Sequence, residues 1–342
     1  MPRRVFLHVG MPKCATTTIQ SALLQKQEAL RGLGIAYDMP EGPAAEGQGN
    51  AARLAISILR DREEAIEEAL DFFSRGAGDV VLSSEVFSAL YKSAAAIKFV
   101  EALRARGFDV SVIALFRRQD HWLESDFKQH VKGARTWNGS IGELLEKRTE
   151  QDVLNFALFT LYWGKYVGRD RVFTAVIQPG SARRDPVNFV LEQIGAGGLC
   201  YAEGEAVPTA NVSPPTGLIE PARLLKCEMQ EAGASAVEVD VALDRFFAEA
   251  PGVVEVPKRR FLMPHALRQE VVDRWKGSNH DLERRAGHQG VFDVEVAQDA
   301  ASEVQLEDEA RAVLAAWQAV KGVAPAPKVQ ARGGLLRRLL GR

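Results

Sequence analysis

Cysteine is scarce in this chain. Three residues in 342, Cys14, Cys200 and Cys227, lie far apart and fit no metal-ligand spacing. An odd, low count without pairing points to a reducing compartment. Long hydrophobic runs are also missing: no apolar stretch approaches the roughly 20 residues that a membrane span needs. Met1-Pro2-Arg3-Arg4 has the charge of a signal peptide, but the apolar run after it, Val5 to Val9, is too short for one and leads into a polar motif. A cytoplasmic location is therefore expected. There is no excess of charge of one sign either, with 43 Lys and Arg against 45 Asp and Glu. A net charge of -2 gives no global electrostatic case for nucleic acid as a partner, so any anion must be held by local geometry. No fixed-period repeat is visible, no His, Asp or Glu set has metal spacing, and no metal is expected.

What is present is an ordinary globular composition, 46% hydrophobic and 26% charged, arranged as strands alternating with helices. Val5–Val9, Val80–Ser84, Val110–Phe116 and Val172–Ile177 are nearly continuous apolar runs, as strands buried on both faces of a parallel sheet must be. Helical patterns lie between them, over Thr17–Arg31, Arg62–Arg75, Ala94–Arg106, His121–Lys132 and Val153–Val167. After Ile177 the pattern turns mostly helical, with Pro186–Ile194, Pro214–Ala232, Val239–Ala250 and His265–Lys276 as candidates. The expected fold is α/β, three layers with a central parallel sheet flanked by helices and a helical C-terminal half. Residues 34–50 read as a long loop. Residues 1–322 read as one domain, and 323–342 as a linker (Val323–Lys328) with a basic amphipathic tail. From Ala310 onward seven basic residues and no acidic one occur. Two readings of the tail stay open: a solubilising end, or weak contact with an anionic membrane surface or partner.

The strongest signal is Val5-Phe6-Leu7-His8-Val9-Gly10-Met11-Pro12-Lys13-Cys14-Ala15-Thr16-Thr17-Thr18-Ile19-Gln20. A buried strand runs into a short loop, and hydroxyl residues open a helix. Unpaired N–H groups of the first turn and the positive end of the helix dipole point at an anion there. Thr16, Thr17 and Thr18 add hydroxyls and Lys13 a mobile positive charge. The Lys comes three positions before the first Thr and no Gly-Lys pair exists, so an ATPase or GTPase of the usual loop type is disfavoured. A second strand ends in Arg117, at the carboxyl edge where open α/β sheets bind ligands, with Ser125 about two helical turns on. A third ends Ser83-Ser84-Glu85, which projects a carboxylate towards the same crevice. His8 reads more readily as a core or loop-orienting residue than as a catalyst.

Pro12-Lys13-Cys14-Ala15-Thr16-Thr17 resembles the Pro-Lys-x-Gly-Thr-Thr loop of PAPS-dependent sulfotransferases, with Ala15 in place of the usual Gly. The resemblance implies that Pro12, Lys13, Cys14, Ala15, Thr16, Thr17 and Thr18 grip the 5′-phosphosulfate. It further implies that Arg117 and Ser125, at the family's spacing of eight, clamp the 3′-phosphate of PAPS and of its product PAP. Lys13 would then stabilise the transferring group and Glu85 would act as general base. The acceptor would be a hydroxyl or amine, on a saccharide or small metabolite. An ATP-Mg²⁺ sugar or lipid kinase and a catalytically silent nucleotide-binding protein remain the alternatives. In the C-terminal half, Asn211-Val212-Ser213 and Gly277–Leu282 suggest Asn and Ser near helix starts, and Lys258, Arg259 and Arg260 form a basic cluster.

Overall fold

A computed structural model describes residues 2–40, 49–208, 214–258, 261–286, 290–293, 295–296 and 303–321. In chain order its regular elements are β1 (Arg3–His8), α1 (Thr16–Gln25), α2 (Gln27–Gly32), β2 (Ile35–Ala36), α3 (Ala52–Leu59), α4 (Glu63–Ser74), β3 (Asp79–Ser83), α5 (Ala94–Ala105), β4 (Phe108–Arg117), α6 (Gln119–Val131), α7 (Ile141–Glu150), α8 (Phe156–Val167), β5 (Val172–Ile177), α9 (Arg184–Gln193), α10 (Ile219–Glu231), α11 (Ala236–Val253), α12 (His265–Ala286) and α13 (Glu303–Lys321). The fold is α/β, with a five-stranded, all-parallel sheet in the order β2-β3-β1-β4-β5.

The apolar strand runs form the sheet because both of its faces are covered. Val5, Phe6 and Leu7 of β1, Val80 to Leu82 of β3 and Val112 to Phe116 of β4 are all buried. The chain leaves β1 for β2, returns to β3 on one side of β1, and then crosses to β4 on the other. That reversal is the kind of switch point beside which open α/β sheets bind ligands, here at the carboxyl ends of β1, β3 and β4. Helix α1 packs through Thr16, Ile19, Gln20 and Leu23, an i, i+3, i+4, i+7 stripe that is fully buried.

The chain divides into two compact units: Met1–Asp126 with Leu145–Val212 and Arg268–Val296, and Phe127–Leu144 with Ser213–Leu267 and Ala297–Arg342. The first holds the whole sheet. In the second, α10, α11 and α13 pack on one another, with Phe246 edge-on to Trp317 at 5.2 Å between centroids. Its loop between α6 and α7 is organised around Lys226, a fully buried ammonium that donates to the carbonyls of His130, Gly133, Thr136 and Trp137 and to the Thr136 hydroxyl.

Several expected boundaries move. The helix read over Thr17–Arg31 is two helices, broken at Lys26. The loop read over 34–50 begins with the two-residue edge strand β2. Helices α3, α7 and α13 carry no earlier assignment, and α12 runs ten residues past Lys276 to Ala286. The linker and tail (residues 323–342) lie outside the described residues.

Candidate functional site

Strand β1 hands the chain to the loop at His8. The Val9 amide still donates to the Ile113 carbonyl of β4 at 3.1 Å, so the loop starts from a fixed point. The Cys14 amide donates to the Met11 carbonyl (3.2 Å), and the Trp122 indole of α6 donates to the Pro12 carbonyl (2.7 Å). Gly10 fits under this loop because a Cβ there would stand 2.4 Å from the Thr16 methyl. Lys13 and Ala15 both take left-handed backbone, at φ 67° and 61°. Ala15 is the N-cap of α1 and supplies no side-chain cap. The Ala15 methyl is thus held in a conformation that Gly would adopt freely. A left-handed residue followed by the right-handed helix start turns successive N–H groups inward, the backbone concavity that receives anions.

Glu85 follows β3, one residue after Ser84, whose hydroxyl caps the next turn by accepting from the Val86 amide at 3.1 Å. The Thr16 hydroxyl donates to Glu85 Oε2 at 2.9 Å, which ties the carboxylate to the loop. Thr17 and Thr18 are half-buried at the start of α1. Arg117, half-buried at the end of β4, pairs through its backbone with β5, and its guanidinium makes no hydrogen bond or ion pair among the described residues. Its neighbour Arg118 is buried in a paired bridge to Asp120 (2.7 and 2.8 Å), to which Arg268 also donates at 2.8 Å. Successive arginines therefore divide the work: Arg118 closes the core and Arg117 keeps its donors. Ser125 lies half-buried on α6.

The field at Cys14 draws these residues together. Burial pushes its thiol up to about 12; the charges of Arg117 and Lys13 act against that shift and Glu85 acts with it. Lys13, Glu85 and Arg117 are thus all near enough for their charges to act on one fully buried sulfur.

Behind the loop lies a buried polar cluster. His8 Nδ1 and Ser83 Oγ are 2.8 Å apart, Gln20 Nε2 donates to the same oxygen at 3.2 Å, and Asn50 joins the Val81 carbonyl and the Ser83 amide at 2.8 Å each. His8 Nε2 has no partner among the described residues, and burial lowers the imidazole to about 4, so the ring is neutral at physiological pH. His121 is lowered to about 4 for the same reason, desolvation, partly offset by Asp120. This places His8 under the loop rather than in the crevice. Gln20, Ser83, Asn50 and Trp122 were not singled out from sequence. Gln20 had a readable signal, a polar residue on the buried stripe of α1; the others act through long-range pairing, which sequence spacing does not show.

Elsewhere, Ser278 and Asn279 do not cap a helix start, because both lie inside α12. Ser278 donates to Asn155 Oδ1 (2.8 Å), and Asn279 exchanges hydrogen bonds with Gln119 (2.7 and 3.0 Å). His280, Glu283 and Asp293 gather with ligand-type atoms within 4.8 Å of one another. His280 pairs with Asp293, and Glu283 accepts from the Phe292 amide. Asn211, Val212, Ser213, Arg259 and Arg260 lie outside the described residues.

A scan against protein-family models and a search of curated proteins each returned no match. Among solved structures, the chain is similar to a crystal structure of a sulfotransferase from Alicyclobacillus acidocaldarius, at 15% identity and a TM-score of 0.43, over 86% of this chain and 100% of that one. Among the described residues no helix is long and apolar enough to cross a membrane.

Proposed function

We propose that this chain is a PAPS-dependent sulfotransferase acting on a hydroxyl or amine acceptor of saccharide or small-metabolite type. The observation that carries the reading is the loop that opens α1, in which Lys13 and Ala15 take left-handed backbone and Thr16 ties the Glu85 carboxylate to the helix start. The donor set suits a nucleotide with phosphates at both ends. Helix-start amides, Lys13, Thr17 and Thr18 fit a 5′-phosphosulfate, and the Arg117 guanidinium with Ser125 fits a 3′-phosphate.

PAPS, when bound, supplies the activated sulfuryl group. In this reading Glu85 takes the acceptor's proton as the acceptor oxygen or nitrogen bonds to sulfur. Lys13 meets the charge that builds on the bridging oxygen as its bond to sulfur breaks and the electron pair leaves with PAP. The Trp122 and Val9 hydrogen bonds keep the loop in register meanwhile, so the donors need little rearrangement.

One observation favours a second reading. A hydroxyl and a carboxylate side by side at a phosphate loop, Thr16 and Glu85, are also oxygen ligands suited to Mg²⁺, as an ATP-dependent kinase would need. Thermal stability with PAP, ADP or ATP, each with and without Mg²⁺, separates the two. Ligand at about 100 times its Kd adds roughly 2.7 kcal/mol. Stabilisation by PAP without metal, and much less by ADP, supports sulfuryl transfer. Stabilisation by ATP with Mg²⁺ and none by PAP overturns it in favour of the kinase.

A further inference from the structure

We infer that Thr16 is a positioning residue for Glu85, and that its hydroxyl serves the carboxylate rather than the cofactor's phosphate; the inference rests on the reading of Glu85 as general base. Three features of Thr16 carry it. The residue is 4% exposed, so its rotamer is set by packing and not by solvent. Its methyl is wedged towards Gly10, close enough that no Cβ fits between them. With the methyl fixed there, the β-branched side chain has one direction left for its oxygen, and that oxygen donates to Glu85 Oε2 at 2.9 Å. A hydroxyl has a single hydrogen, so Thr16 cannot also donate to an anion while it holds Glu85. The half-buried Thr17 and Thr18 remain for the phosphate, beside the helix-start amides.

Glu85 needs such a guide. It stands at the first position of a short 3₁₀ helix, Glu85–Leu90, rather than on a strand or a long helix, and its own carbonyl is taken by the Ser88 hydroxyl at 2.6 Å. Among the described residues Thr16 is the hydrogen-bond donor to its side chain. The same residue that begins the phosphate-binding helix therefore fixes where the base stands. Cofactor and acceptor proton are registered to one another through one side chain.

The test compares Thr16→Val, which keeps the shape and removes the hydroxyl, with Thr16→Ser, which keeps the hydroxyl and removes the methyl. Sulfuryl transfer is read with ³⁵S-labelled PAPS and a pool of mono- and oligosaccharides, and PAP affinity by titration. Thr16→Val should lower kcat by about 10- to 100-fold, the worth of a hydrogen bond to a charged group, and leave PAP affinity within about threefold. Thr16→Ser should recover most of the rate. A parallel loss of PAP affinity in Thr16→Val would mean that the hydroxyl serves the phosphate, and an unchanged kcat would mean that it serves neither; both overturn the inference. Failure of the underlying reading looks different: Glu85→Gln then turns over normally, or the unaltered protein ignores PAP. For a protein that binds PAP without transferring to this pool, a thermal-unfolding double-mutant cycle of Thr16→Val with Glu85→Ala, which removes the acceptor, decides. Additive effects overturn the inference, and coupling supports it.

Discussion

Replacing Ala15 by glycine should make the protein more stable, although it removes a methyl group and adds chain flexibility. Ala15 sits at φ 61°, ψ 17°. A left-handed conformation costs an L-residue with a Cβ about 1–2 kcal/mol, and glycine adopts it without that cost. Against this stands the greater freedom of glycine in the unfolded chain, worth about 0.4–1 kcal/mol. The position is also an N-cap, where glycine is preferred to alanine. The net expectation for Ala15→Gly is a gain of about 0.5–1 kcal/mol, or roughly 1–4 °C in Tm for a chain of this size. Urea unfolding and a thermal scan, run side by side, measure it. PAP should bind at least as well, since the loop keeps its shape at lower cost. A clear loss of stability in both assays would refute the left-handed conformation at Ala15 and with it the loop geometry on which the site is built.

Lys13→Ala should nearly abolish turnover and weaken PAP binding, whereas Glu85→Gln should keep PAP affinity and lose rate; kinetics with a PAP titration check both. Lys226→Met should destabilise the second unit by about 3 kcal/mol or more, because it leaves buried oxygens of the α6–α7 loop without their donor; urea denaturation reads the loss. The folded pKa of His8, about 4, lies below the ordinary histidine value of 6.5. The unfolded chain therefore binds the proton more readily: the contribution is complete above pH 6.5 and disappears as pH falls to 4, about 3 kcal/mol in all. Unfolding midpoints between pH 7 and 4 should fall less steeply in His8→Asn, which keeps a partner for Ser83.

The sheet was legible because parallel strands buried on both faces write themselves as unbroken apolar runs, and Val5–Val9 or Val172–Ile177 admit little else. β2 was not, since two residues at a sheet edge leave no run to detect. The break at Lys26 interrupts a helix without glycine or proline, and Ile141–Glu150 hides behind Gly142 and a polar approach. At the site, Lys13, Glu85 and Arg117 could be named as candidates from their place after strands, because strand ends in a parallel sheet share one edge. The supports were not: Trp122 lies 110 positions from Pro12, and Ser83 lies 75 from His8. The bond from Thr16 to Glu85, 69 positions apart, is of the same kind; sequence named both residues and could not join them.

Cys14 turns the loop into its own reporter. A thiol pushed up to about 12 and fully buried is ionised to only about 10⁻⁴ at pH 8, so an alkylating reagent reaches it chiefly when the loop opens. Cys200 and Cys227, both partly exposed, label first and set the baseline. The slow third modification then counts openings of the strand–helix junction in the unmutated chain, and whatever anion the cradle holds will write its affinity into that rate.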